Sequence, residues 1–120
     1  MHVDRGSATL TTVVLTPVFI AVALAAFQAA LWAHARTESR AIARDAAVLV
    51  ARAGEATDSV EASAQRLLDD EVRLIDSDID IDDGSALVVV TVRGSAPGMF
   101  RWMETDFEVV EAVPRERFRP

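Results

Sequence analysis

The stretch that decides the fold is Gly6–Ala35, whose thirty residues are GSATLTTVVLTPVFIAVALAAFQAALWAHA, with no Asp, Glu, Lys or Arg among them. A helix needs roughly 20 apolar residues to cross the hydrocarbon core of a bilayer, so this stretch is long enough to span it with tilt. Trp32 and His34 lie where the apolar run ends, a position typical of side chains at the membrane interface. We therefore expect a transmembrane helix over residues 7–35.

Two other interpretations of this segment compete with a membrane span. Ala33-His34-Ala35 has the small-residue pattern of a signal-peptidase site, which would make the segment a removable signal peptide. Against this, the first five residues carry no net side-chain charge, and the apolar run exceeds the usual ~7–15 residues. A buried helix of a soluble protein is disfavoured because the remaining 85 or so residues are too few to surround it.

The apolar segment carries a regular row of small side chains. Ala21, Ala25, Ala29 and Ala33 recur at every fourth position, and small residues at this spacing let another helix approach closely in lipid. The alternative is that the row reflects composition alone, since the chain contains 21 alanines. Pro17 removes one backbone donor and leaves the Val13 carbonyl without its helical partner, so we expect the hydroxyls of Thr12 and Thr16 to compensate.

The residues after the apolar segment predict two further helical stretches. Apolar residues at Ile42, Ala46, Leu49 and Ala53 form one stripe, which indicates that the first helix continues in amphipathic form. Gly54 is a suitable residue to end it. A second helix is predicted from Asp58, whose side chain is a candidate N-cap with Glu61 reaching back to it. We list its expected apolar positions as Val60, Ala64, Leu67, Leu68, Val72 and Ile75.

After Ile75 the hydrophobic period changes from 3.6 to 2. Asp stands at every second position of residues 76–82, with Ser77, Ile79 and Ile81 between, and Asp83-Gly84 is a tight-turn dipeptide. Residues 86–92 are almost wholly apolar, and together these features predict a hairpin. A third strand is expected at Phe107–Val113, ended by Pro114. Because the second strand is apolar on both faces, we place it at the centre. The predicted fold class is α+β: a long helix, a second helix and a small three-stranded antiparallel sheet.

Composition limits the function classes. The net charge is −7, all twelve basic residues are Arg, and there is no Cys, which excludes disulfides, thiolate metal sites and a cysteine nucleophile. The acidic balance without a basic tract argues against nucleic acid. Asp78, Asp80 and Asp82 resemble a calcium loop only superficially, because Gly and Glu are missing from the required positions. We predict no enzyme activity, metal, cofactor or small-molecule substrate.

The link between the second and third strands is expected to span Gly94–Asp106. It contains Met99, Phe100, Trp102 and Met103 directly after Pro97-Gly98. In one interpretation these side chains pack under the sheet and enlarge a small core. In the other, Phe100 and Trp102 are exposed as a docking patch.

The N-terminus resembles TadE-like proteins of the tight-adherence (Flp-type) pilus systems. The resemblance is carried by Arg5-Gly6-Ser7-Ala8-Thr9-Leu10 and the apolar helix with Leu15-Thr16-Pro17 that follows. It covers the first 35 residues best, and the α-then-β order of the remainder and residues 116–120 (ERFRP) also fit actinobacterial members. The resemblance implies prepilin-type cleavage between Gly6 and Ser7, and hence a leader of residues 1–6. It also implies one membrane helix and an extracytoplasmic α+β domain over residues 36–120.

The resemblance implies a function in assembly. It identifies a membrane-anchored, pilin-like minor component of a Flp-type pilus or related secretion apparatus, whose partners are the membrane and other pilus subunits. Thr11 stands at the fifth position after the implied cleavage, where pilin-type sequences carry Glu, which favours a minor or priming subunit, or a simple anchor, over the main polymerising subunit. The alternative function is an anchored or secreted acidic binding module unrelated to pili. The arginines that follow the span favour the opposite orientation, but a six-residue leader gives that count little to compare, so we expect the orientation that the resemblance implies, with the C-terminal domain outside the cell membrane.

Overall fold

The computed structural model describes residues 2–98 and 104–115, with side chains described for residues 8–98 and 104–115. Helix α1 covers His2–Ala51 and helix α2 covers Thr57–Leu67, followed by a π-helical turn at Leu68–Val72. Strands β1 (Ile75–Asp83), β2 (Leu87–Ala96) and β3 (Thr105–Pro114) complete the order of elements. The predicted α+β class is therefore confirmed, with the long helix first, the second helix next and the sheet last.

The chain divides into two compact units, Met1–Ala30 and Leu31–Pro120. The first unit is a single stretch of α1, and its large apolar side chains are mostly exposed: Leu10, Val13, Val14, Leu15, Val18, Phe19, Ile20, Val22 and Phe27. The helix continues through Pro17 without a break. By length and composition, α1 contains a segment from Ala8 that is able to cross a membrane.

In the second unit, α1 buries a row of small side chains. Ala35, Ser39, Ala43, Ala47 and Ala51 recur at every fourth position, and all are buried. The predicted stripe was only partly right. Ala46 is buried and Ile42 is half-buried, but Leu49 is 39% exposed and Ala53 is exposed. The face of α1 that is turned inward is therefore the one with the smallest residues, which leaves room there for the larger side chains of the core.

The connection from α1 to α2 differs in one detail from the prediction. Gly54 has φ of +66° as expected of a residue beyond a helix C-terminus, and the Glu55 amide donates to the Leu49 carbonyl at 3.2 Å. The predicted N-cap at Asp58 was wrong: α2 begins at Thr57, its N-cap residue is Ala56, and no side chain caps it. Asp58 instead lies in the first turn, where its negative charge interacts favourably with the positive end of the helix dipole.

The sheet has the order β1-β2-β3 with both pairs antiparallel, which confirms the central position of β2. The hairpin turn lies two residues later than the predicted Asp83-Gly84, because Gly84 donates its amide to the Leu87 carbonyl at 3.0 Å and leaves Ser85-Ala86 as the turn residues. The link to β3 is shorter than predicted. Residues 93–96 continue β2 and pair with residues 105–108, so only residues 97–104 connect the strands.

The core of the second unit lies between α1, α2 and the inner face of the sheet. Its largest fully buried side chains are Val50, Leu68, Val88, Val90, Val92 and Val109. Alternate residues of β2 point inward, and Gly94 lies on that side, because a Cβ there would stand 3.1 Å from Leu74 Cδ1. At the edge of this core Arg40 of α1 forms an ion pair with Glu111 of β3, with 3.5 Å between Nε and Oε1.

Candidate functional site

The first candidate site is the outside of α1 in the first unit. Ala21, Ala25 and Ala29 are all exposed there, and Ala33 is exposed in the second unit. Along an α-helix, positions four apart lie on nearly the same face. In the first unit, Ala21, Ala25 and Ala29 therefore lie along one exposed face of small side chains, with room for another helix to approach. Gln28 is different, because both polar atoms of its amide are buried and have no hydrogen-bond partner among the described residues.

The polar groups around Pro17 are satisfied in a different way from the prediction. The Thr12 hydroxyl donates to the Ala8 carbonyl at 2.9 Å, and the Thr16 hydroxyl donates to the Thr12 carbonyl at 2.6 Å. The hydroxyls thus bond within their own helix, as a hydrocarbon environment requires. Neither bonds to Val13, so the prediction that they compensate for the carbonyl that Pro17 leaves unpaired was wrong.

The structure describes the backbone of one further predicted site and none of the residues of another. Gly6 and Ser7, the residues of the implied cleavage site, belong to α1 by their backbone. Phe100 and Trp102, the predicted docking patch, lie outside the described residues, as do Met99 and Met103. Both the cleavage and the docking patch remain predictions.

The alternating aspartates form an exposed edge rather than a metal centre. Asp78, Asp80 and Asp82 are exposed on β1, while Ile79 and Ile81 between them are buried, as the period-2 pattern predicts. No group of three His, Cys, Asp or Glu residues suited to a metal occurs within the described part of the chain. Because β1 is an edge strand, its charged face disfavours pairing with a strand of another molecule.

The start of β1 is the most irregular part of the backbone. Arg73 and Asp76 have positive φ values of 57° and 49°, and the pairing with β2 shifts register between Ile75 and Asp78. A side-chain network fastens this segment to α2: Gln65 Nε2 donates to Ser77 Oγ at 2.6 Å and to Asp69 Oδ1 at 3.1 Å. The network links the π-helical turn to the strand, so we interpret the irregularity as part of the fold.

The outer face of the sheet is a surface that the sequence reasoning did not identify. Opposite residues of antiparallel strands project to the same side, so Val110 of β3 lies beside Thr91 of β2 and Asp80 of β1. Val110 is 52% exposed and Leu87 is 46% exposed. The signal is present in the sequence, because β2 and β3 have apolar residues at both odd and even positions, but in β2 the same pattern also predicts a central strand.

Comparison with protein-family models, with curated proteins and with solved structures finds no significant match to this chain.

Proposed function

We propose that this protein is a membrane-anchored, pilin-like minor component of a tight-adherence (Flp-type) pilus or a related secretion apparatus. The observation that carries the proposal is a single helix, α1, that is apolar and exposed over residues 8–30 and is followed in the same chain by an α+β unit over residues 31–120. The TadE-like pattern around Gly6 and Ser7 supports the same assignment.

The proposed mechanism is mechanical and needs no catalytic group. In lipid, water does not compete for contacts between helices, so close van der Waals packing stabilises their association. The exposed row Ala21, Ala25 and Ala29 is suited to such packing with other subunits. We propose that the second unit is extracytoplasmic and presents contact surfaces to partner subunits of the apparatus.

The N-terminus of the membrane-extracted protein tests this proposal. Intact mass and N-terminal sequencing should show a chain that begins at Ser7, produced only in cells that contain the prepilin peptidase. Gly6→Val should block the cleavage, whereas the matched variant Leu10→Val, four residues further along the helix, should be processed normally. A chain that begins at Arg36 would instead support the secreted binding module, and an uncleaved chain in both backgrounds would contradict prepilin-type processing.

A further inference from the structure

The charge-free part of α1 is longer than a bilayer requires. Gly6–Ala35 contains thirty residues, and at about 1.5 Å of rise per residue they extend about 45 Å along the helix axis. The hydrocarbon core of a bilayer is only about 30 Å thick. Apolar character alone therefore does not fix the depth of α1 in the membrane, and the helix could shift by several residues without placing a charge in the hydrocarbon.

Arg36 is the first charged residue after this segment, and its side chain is directed back along the helix. Its guanidinium carbon lies 5.7 Å from the centre of the Trp32 ring, which is within the range of a cation–π contact. Trp32 is one helical turn nearer to the apolar segment, and side chains of an α-helix tilt toward its N-terminus. The charge of Arg36 therefore lies nearer to the apolar segment, along the helix axis, than the backbone of Arg36 does.

Arg36 forms no ion pair with any carboxylate that the structure describes. The acidic residues of this part of α1, Glu38 and Asp45, are two and nine positions further on, which places both roughly 180° around the helix from Arg36. Glu111 of β3 lies nearer to this face of α1, but it pairs with Arg40 at 3.5 Å between Nε and Oε1. The half-exposed guanidinium of Arg36 is therefore available to an anion from outside the chain.

We infer that Arg36, stacked on Trp32, binds the phosphate group of a phospholipid at the surface where α1 leaves the bilayer. A guanidinium forms paired hydrogen bonds with phosphate oxygens and also stacks on aromatic rings. It does both at once, because its N–H donors lie in its plane and the ring covers only one face. Trp side chains are themselves enriched at this level of the membrane. The pair sets the depth of α1 by holding the end of the charge-free segment among the head groups.

This inference rests on the membrane anchor of the proposed function and does not require a pilus. One phosphate contact is too weak to hold the second unit on a bilayer by itself, so the contact acts on a helix that is already inserted. Processing at Ser7 tests the proposed function, whereas contact between Arg36 and lipid phosphorus tests the inference. If the contact is missing while the chain begins at Ser7, the proposed function stands, and if the chain is uncleaved while the contact is present, the lipid site stands.

Solid-state NMR on the full-length protein measures the contact directly. We would label the guanidinium carbons with ¹³C, reconstitute the protein in vesicles of phosphatidylethanolamine and phosphatidylglycerol, and record the dephasing of the ¹³C signal by ³¹P. Arg36→Gln should remove a component of this dephasing. The control, Arg44→Gln, removes an exposed arginine two turns further along α1 and should leave that component in place. Inorganic phosphate in the buffer has a separate ³¹P resonance, and we expect the dephasing from the lipid resonance.

A spin label tests whether the pair sets the depth of the helix. Because the chain has no Cys, a nitroxide on Ala30→Cys, an exposed position, reports one site. In Arg36→Gln the next charged residue is Glu38, so the helix can sink, and collisions of the label with a water-soluble relaxation agent should decrease. In Arg44→Gln they should be unchanged.

Four results would overturn the inference. Absence of lipid dephasing in the unaltered chain would do so whether or not the variants fold. Equal dephasing in Arg36→Gln and the unaltered chain would show that Arg36 is not at a lipid phosphate. Dephasing of the Arg36 component by inorganic phosphate alone would show an anion site in water. An unchanged collision rate in Arg36→Gln would show that the pair does not set the depth of α1.

Discussion

At the scale of single residues, the most unusual position is Ser39. Its side chain is 0% exposed, and its hydroxyl has no hydrogen-bond partner among the residues that the structure describes. It stands in the row of alanines that α1 buries. A buried hydroxyl without a partner lowers stability, because its hydrogen bonds to water are lost on folding and are not replaced.

Replacing Ser39 with Ala should therefore stabilise the protein. We expect Ser39→Ala to raise the free energy of unfolding by about 1 kcal/mol, which corresponds to an increase in Tm of roughly 4–8 °C for a unit of this size. Thermal unfolding followed by circular dichroism in detergent measures it. Thr37→Ala, at an exposed position two residues earlier, is the control and should change Tm little. A decrease in Tm for Ser39→Ala would mean that the hydroxyl is hydrogen-bonded after all.

Gly54 provides a second test at this scale. Its φ is +66° and nothing lies within 4 Å of an added Cβ, so substitution there changes backbone strain without steric overlap. Gly54→Ala should lower the free energy of unfolding by about 1–2 kcal/mol, while Gly54→Asn should cost less because Asn adopts this conformation more readily. Chemical denaturation of the three proteins measures the difference. Equal losses for Ala and Asn would contradict the conformational explanation.

At the scale of elements, the sequence predicted strands better than it predicted the faces of α1. In β1 the side chains alternate between Asp and Ile, so the pattern itself states which side is buried. In α1 after residue 35, two apolar stripes compete, one with Leu49 and one made of Ala and Ser. Hydrophobicity favours the first, but helix packing on a sheet depends on how closely the backbones approach, which is a property of the partner surface and cannot be derived from α1 alone.

The buried row of α1 predicts a sharp contrast between neighbouring alanines. Ala43 is 0% exposed and Ala41 is exposed. We expect Ala43→Leu to lower the free energy of unfolding by about 1–3 kcal/mol, because a larger side chain forces the helix away from the core. Ala41→Leu adds the same atoms on the exposed side and should change stability by less than about 0.5 kcal/mol. Similar losses in both variants would show that close packing of this face is unimportant.

The alanine row in the apolar half of α1 has its own test. Ala25→Leu combined with Ala29→Leu should weaken association between helices in a membrane dimerisation assay, because bulky side chains hold the backbones apart. The control, Ala23→Leu combined with Ala30→Leu, adds the same volume on another face of the helix and should leave association unchanged. The alanines of both pairs are exposed. Equal effects of the two pairs would show that the row reflects composition alone.

At the scale of the whole molecule, the surfaces of the two units suit different solvents, lipid for the first and water for the second. Residues 8–30 expose large apolar side chains along the helix, whereas the unit that begins at Leu31 has a buried core and a strongly acidic surface. The sequence shows this division clearly, because charged residues are absent from 6–35 and frequent afterwards. The exposure of the outer face of the sheet could not be predicted in the same way, since β2 and β3 have apolar residues on both faces and their sequence does not state which face another element covers.

This division predicts how the chain partitions. The full-length protein should remain in the membrane fraction after alkaline carbonate extraction, because removing residues 8–30 from lipid exposes their apolar surface to water. A chain beginning at Leu31 should be recovered in the aqueous fraction as a folded protein. Val18→Arg with Val22→Arg in the full-length chain should shift it toward the aqueous fraction, since charges in the bilayer centre are unfavourable. Retention of the truncated chain would place a membrane-binding surface in the second unit.

The buried row of Ala35, Ser39, Ala43, Ala47 and Ala51 also limits how the sequence can diverge. Exposed positions, and valines of the sheet that exchange readily with isoleucine, are free to drift, whereas a residue larger than serine in this row would displace the helix. Evolutionary descendants of this chain should therefore keep small residues at five positions spaced by four, even after the rest of the domain has lost recognisable similarity. Common ancestry would then be recognised more reliably from the absence of large residues at these five positions than from the number of identical residues.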